Sequence, residues 1–173
     1  MSKNSVTCFF YLLVISVCGF SQNTLVPDTN FEQALIDLGH DSGPLDGRVP
    51  TSNINTITSL DVAEKNISDL TGIEDFTELS YLDCSINLLT SLNLSQNINL
   101  KELYFSNNQV TSIDVSMLKD LEHLWCQSNL LTIVNITQNP NIISLVCRNN
   151  LLKSLDVTQN SALVVLAFEK NQI

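Results

Sequence analysis

The sequence predicts a repeat solenoid: a mostly β coil whose turns share one core, with a short helical cap at its N-terminal end. Three observations predict it. Leu79, Leu100, Leu121, Ile142 and Leu163 recur every 21 residues; Leu82, Leu103, Leu124, Leu145 and Leu166 follow three later, then Cys84, Phe105, Cys126, Cys147 and Phe168. An unbroken asparagine file, Asn87, Asn108, Asn129, Asn150 and Asn171, keeps the same step and is followed by Leu89, Val110, Leu131, Leu152 and Ile173. A second apolar set comes later in each copy, as Leu92, Ile113, Val134, Leu155 and Leu94, Val115, Ile136, Val157. One copy cannot bury its apolar face alone, so a fixed period of this size implies stacked turns around a continuous core.

Each part of the copy has a local reason. The L-x-L alternation sends Leu103 and Phe105 inward and Tyr104 and Ser106 outward, the period-two pattern of a short strand. Consecutive copies then lay their strands parallel, about 4.8 Å apart. The asparagine stands where the strand ends, and its amide can donate and accept toward backbone groups of its own and the neighbouring turn. The second apolar set is too short and too β-branched for a helix, so an extended or turn-like back wall is expected. The copy L-x-x-L-x-[CF]-x-x-N-x-L-x-x-L-x-V-x-x-N-x-x, running from Ile57 to Ile173, resembles the leucine-rich repeat family. The resemblance implies a parallel-β horseshoe or coil, classed α/β by convention.

Three segments are expected in chain order. Residues 1–21 read as a signal peptide: Lys3, an apolar run from Cys8 to Cys18, and Gly19-Phe20-Ser21 before Gln22. That run has about 11 apolar residues, against the roughly 20 a membrane-spanning helix needs. Residues 22–56 lack the period and form the cap. There Thr29 and Glu32 suggest a capping box, Phe31, Ala34, Leu35 and Leu38 give one apolar face of a helix near 29–38, and Gly39 supplies a stop. His40 to Pro50 reads as irregular loop, with Asp37, Asp41 and Asp46 as surface turn residues. Residues 57–173 are the array. Its first copy holds one extra residue, and Asn66-Ile67-Ser68-Asp69-Leu70-Thr71-Gly72-Ile73 resembles the turn of internalin-like repeats. The array stops partway through a copy without a shielding segment, so a longer natural product is expected. Export signal, capping helix and 21-residue copies together resemble secreted bacterial leucine-rich repeat proteins, which implies a secreted or cell-surface location.

Charge and cysteine content narrow the chemistry. The chain holds 8 Lys and Arg against 18 Asp and Glu, a net charge of −10, and loss of Lys3 with residues 1–21 makes it one unit more negative. Nucleic acid and anionic lipid demand a basic footprint, so neither is an expected partner. Cys84, Cys126 and Cys147 share the column that Phe105 and Phe168 fill elsewhere, which marks them as small buried apolar residues. Side chains in register on parallel neighbours point the same way, which argues against a Cys126–Cys147 bridge. With spacings of 42 and 21 and no histidine in the column, a metal site is not expected. The triplets at Asn66, Asn93 and Asn135 fit N-x-[ST], yet the last two hold the same place in the copy, so repetition accounts for them.

Function is expected on the outward strand face. Its columns are Tyr81, Glu102, His123, Ser144, Val165; then Asp83, Tyr104, Trp125, Val146, Ala167; then Ser85, Ser106, Gln127, Arg148, Glu169. Tyr81, Asp83, Glu102, Tyr104, His123 and Trp125 fall together on the middle turns, with Arg148 further along. Exposed aromatics flanked by acids suit recognition, since Tyr and Trp give large contact area at low ordering cost. Cross-strand stacking that merely supports the sheet is the plainer account of Tyr104 and Trp125. The resemblance, in which this face commonly binds protein or glycan, favours recognition, with no cofactor. A structural spacer within a larger surface protein is the alternative. A hydrolase is remote: His123 beside Glu102 and Glu122 has no nucleophile arranged with it, and Asp83 and Glu102 lie on an open face without enclosure.

Overall fold

The computed structural model describes residues 22–173, so the expected signal peptide, Met1 to Ser21, lies outside them. Six three-residue strands form one parallel sheet in chain order: β3 (Ser59–Asp61), β4 (Tyr81–Asp83), β5 (Glu102–Tyr104), β6 (His123–Trp125), β7 (Ser144–Val146) and β8 (Val165–Ala167). Pairing keeps every copy in register, with Leu60, Leu82, Leu103, Leu124, Leu145 and Leu166 side by side. Before them stand β1 (Asn23–Leu25), α1 (Thr29–Asp37), β2 (Arg48–Pro50) and α2 (Thr51–Ile54). The back of the coil consists of turns, as its short apolar pairs require. The protein is a parallel-sheet solenoid of the leucine-rich repeat type.

A single core runs through cap and coil. Leu82, Leu103, Leu124, Leu145, Cys84, Phe105, Cys126 and Cys147 are fully buried, and Val26, Phe31, Leu35, Val49 and Ile54 continue the same cluster into the N-terminal segment. At the far edge the inward Leu166 and Phe168 of the last strand stay partly exposed. The asparagine file closes every turn. In Asn129, Nδ2 donates to the carbonyls of Phe105 (3.0 Å) and Cys126 (3.2 Å), while Oδ1 accepts from the amide of Val110 (3.0 Å). Asn108 and Asn150 repeat this set one coil before and after. A buried side chain thus satisfies backbone groups on two coils, which a loop turning through the interior cannot leave unpaired. A second file, Asn97, Asn139 and Asn160, donates to back-wall carbonyls one coil earlier. Leu118 interrupts it.

The N-terminal segment differs from expectation in three details. Helix α1 is capped by Asp28, not by a Thr29–Glu32 box: Asp28 Oδ1 accepts from the amides of Asn30 (2.9 Å) and Phe31 (3.0 Å). Glu32 turns inward instead and takes the amides of Asp46 (2.7 Å) and Gly47 (3.0 Å), which folds the following loop under the helix. Leu38 lies beyond the helix end and is exposed, so the buried face is Phe31, Ala34 and Leu35. The segment expected to be irregular ends in β2, which pairs antiparallel with β1. Phe31 stacks on Phe76 of the first coil with ring centroids 6.3 Å apart, joining helix to array. Gly72 is needed beside this junction: its φ is +103°, and an added Cβ would stand 2.5 Å from the Leu25 carbonyl oxygen.

Among the described residues Cys84, Cys126 and Cys147 are free and buried, with no bridge between Cys126 and Cys147. Burial pushes the Cys147 thiol up to about 11, with the Glu169 charge adding to it, and raises Cys84 and Cys126 as well. Only thiolate is nucleophilic. Iodoacetamide at pH 8 is therefore expected to leave Cys84, Cys126 and Cys147 unmodified in the folded protein and to alkylate all three in urea, as peptide mass mapping would record.

Candidate functional site

On a parallel strand the residues flanking each inward leucine face outward, so every copy offers two side chains to one surface. The register then decides who meets whom. Tyr81 is opposite Glu102, and Glu102 opposite His123; Asp83 is opposite Tyr104, and Tyr104 opposite Trp125. Tyr81 reaches Tyr104 diagonally across these rows, while Tyr104 and Trp125 stand side by side in one row. Tyr81 and Tyr104 meet edge to face with centroids 5.6 Å apart, and Tyr104 and Trp125 lie 4.9 Å apart at a tilt of 52°. Separations and tilts of this kind suit aromatic quadrupoles.

Hydrogen bonds fix the rings. The Tyr104 hydroxyl donates to Glu102 Oε2 at 2.6 Å, and Trp125 Nε1 donates to Ser144 Oγ at 3.1 Å. Leaning toward β7, the indole sits beside Ser144, which is buried, while the indole itself remains 42 % exposed. Burial raises the Tyr81 phenol above its usual value, and the charges of Asp83, Asp61 and Glu102 push it the same way. Tyr104 is raised as well, by burial and then by the Glu102 carboxylate. Three carboxylates thus act on one small patch of two phenols.

These side chains line a concavity of about 450 Å³. Tyr81, Asp83, Glu102, Tyr104 and Trp125 are brought together there as the columns lead one to expect. Two candidates are not. His123 and Arg148 share the outward columns but lie outside the hollow, and Arg148 is paired with Glu169 at 3.5 Å. Other residues join it instead: Ser85, Ser106, Gln127, and the turn residues Ile86 and Asn107. No sequence signal singles out the last two, since they belong to the turn and reach the rim only because their backbone is left-handed, at φ +56° and +55°.

Ile86 is the strained member of that turn column. A β-branched residue at positive φ crowds its own backbone, whereas asparagine tolerates it. Asn107 and Asn149 hold the equivalent places one and three coils on. Ile86→Asn is expected to raise stability by about 1 kcal/mol, read as a higher urea midpoint, because the exposed isoleucine forfeits little burial.

Comparison with known proteins agrees with this architecture. The family model "Leucine Rich repeats (2 copies)" matches residues 98–139. Internalin J of Listeria monocytogenes serotype 4b (strain F2365) is 45 % identical over 49 residues, 28 % of this chain and 5 % of that protein. The solved functional domain of internalin J from Listeria monocytogenes, which includes a cysteine ladder, superposes with a TM-score of 0.81 at 34 % identity over 88 % of this chain and 35 % of that one. An internalin F structure from the same species shares the fold, with a TM-score of 0.79 at 24 % identity over 85 % of this chain and 44 % of that one. The chain is a leucine-rich repeat protein. Its cap and 21-residue coils are of the internalin-like kind, and it spans less than half of the length of each of these relatives.

Proposed function

We propose that the protein is a secreted or surface-exposed recognition module that binds another protein through its strand face. Tyr81, Asp83, Glu102, Tyr104 and Trp125 form the contact, with His123 and Arg148 at its margin. The observation that carries this is the aromatic run Tyr81–Tyr104–Trp125, held by hydrogen bonds on the outer side of a sheet whose stability comes from the other side. Rigid, half-exposed aromatics at the centre of a shallow hollow are the composition of interface hot spots. The internalin likeness supports an interaction role. No helix among the described residues is long and apolar enough to cross a membrane.

The test is a binding screen against purified extracellular protein domains, with Tyr104→Ala and Trp125→Ala beside the wild type. Each truncation is expected to weaken binding by about 2 kcal/mol or more, some thirtyfold, with the far-ultraviolet spectrum unchanged. A spacer would show no binding that these substitutions affect.

A further inference from the structure

Taking the strand face as the binding surface, we infer that its hollow accepts a lysine or arginine side chain from a basic segment of the partner protein. Asp83 on β4 and Glu102 on β5 line the hollow, and Asp61, outside its lining, lies directly opposite Asp83 on β3. Like charges opposed across strands oppose folding, so this arrangement carries a cost in the free protein. Each acid commits one oxygen locally. Asp61 Oδ1 accepts from the Ala63 amide (3.0 Å), Asp83 Oδ1 from the Ser85 amide (2.9 Å), and Glu102 Oε2 from Tyr104. The second oxygen of each takes no protein donor among the described residues. The ion pairs there are Lys101–Glu122 and Arg148–Glu169, so no lysine or arginine pairs with any of the three acids.

The remaining surface of the hollow asks for the same ligand. Gln127 Oε1 is buried and receives no hydrogen bond. Ring faces of Tyr81, Tyr104 and Trp125 are electron-rich and attract cations. Beside the hydroxyl and amide groups of Ser85, Ser106 and Asn107, the hollow therefore offers carboxylates and π-faces that favour a positive charge. A lysine or arginine supplies several N–H donors, a cation and an apolar stem to lie along the rings. Burial first, and then the charges of Asp83, Asp61 and Glu102, raise the Tyr81 phenol, so these carboxylates favour positive charge at the same place. A neutral sugar leaves that field unmatched, and rings inclined at 73° and 52° offer no flat platform for one.

Trp125 is the sole tryptophan of the chain, so its fluorescence reports on this hollow alone. The protein is titrated with tetra-arginine, tetra-lysine, tetra-glutamate and chitotetraose. Saturable fluorescence changes are expected with the two cationic peptides only, weakening about tenfold from low to high salt. The pair Asp83→Asn with Glu102→Gln is expected to weaken both about tenfold or more. Asp114→Asn with Asp156→Asn removes the same charge from the back wall and is expected to leave both unchanged. An equal loss in the back-wall pair would mean bulk attraction and overturn the inference. A response to chitotetraose or tetra-glutamate, or none to either cationic peptide, would overturn it too. The two readings fail separately. Partner binding lost in Tyr104→Ala and Trp125→Ala, without any cationic response, keeps the strand face and removes the cation; partner binding untouched by those substitutions removes the strand face.

Discussion

Asn129→Asp is expected to destabilise the protein by about 3–5 kcal/mol, although it replaces one atom by another of nearly equal size. The amide of Asn129 donates to the carbonyls of Phe105 and Cys126 and accepts from the Val110 amide, at a site only 5 % exposed. A carboxylate keeps the acceptor but sets an oxygen against two carbonyl oxygens that have lost their donor. Each orphaned buried group costs about 1–3 kcal/mol, and the buried charge adds to it. Protonation would restore one donor. The new carboxyl therefore has a folded-state pKa above its unfolded value, and its destabilisation grows as pH rises and shrinks toward acid. Urea unfolding at pH 7 and pH 4.5 measures both. Asn141, which is exposed and donates to the Lys119 carbonyl at 3.2 Å, is the control: Asn141→Asp is expected to change stability by no more than about 0.5 kcal/mol. Equal effects at the two positions would mean that the asparagine file does not hold the coils together.

That file was legible in the sequence because a solenoid repeats its environments, so five positions print the same requirement five times. The same redundancy made the inward columns, the strands and the outward aromatic row readable. Where the period stops, so does the legibility. Thr29 and Glu32 have the spacing of a capping box, yet Asp28 wins the cap because its second oxygen is held by Ser68 and Asp69, 40 residues away, and no local pattern encodes that. The β1–β2 pair has the same origin, being closed by contacts such as Thr24 Oγ1 to Asp75 Oδ2 (2.5 Å). At the candidate site the columns tell which residues face solvent but not where a side chain leans. Trp125 tilts to Ser144, and Arg148 turns to Glu169, so one joins the hollow and the other does not. Asp61 stands outside the outward columns that the period marks, and its place appears only when register sets it opposite Asp83. Leu118 shows the opposite limit, a core residue standing where the copy calls for asparagine, with an apolar side chain filling the space instead.

Asp28→Ala is expected to cost about 2–4 kcal/mol and to free the N-terminal helix from the coil before the coil itself unfolds. One carboxylate holds both. Its Oδ1 caps α1, while its Oδ2 accepts from the Ser68 amide (2.8 Å), the Ser68 hydroxyl (2.7 Å) and the Asp69 amide (3.1 Å) on the first coil. Partial burial opposes its ionisation, yet the bonds from Ser68, Phe31 and Asp69 outweigh that and hold its pKa below the ordinary 3.8. A depressed folded-state pKa makes this contribution complete above 3.8 and lost as pH falls through the lower folded value, so the helix should loosen in strong acid even in the wild type. Asp28→Asn keeps one oxygen as acceptor and is expected to fall between wild type and Asp28→Ala. Hydrogen exchange separates local opening from global unfolding: the amides of Leu35 and Leu38 should exchange faster in Asp28→Ala, while those of Cys126 and Cys147, bonded deep in the sheet, should keep their protection. Uniform acceleration would mean that cap and coil melt as one unit and that Asp28 is only a helix cap. Selective acceleration would mean that the carboxylate is the latch by which the helix covers the first turn's core, Ile67, Ile73 and Phe76, and so preserves the edge strand that carries Asp61 to the strand face.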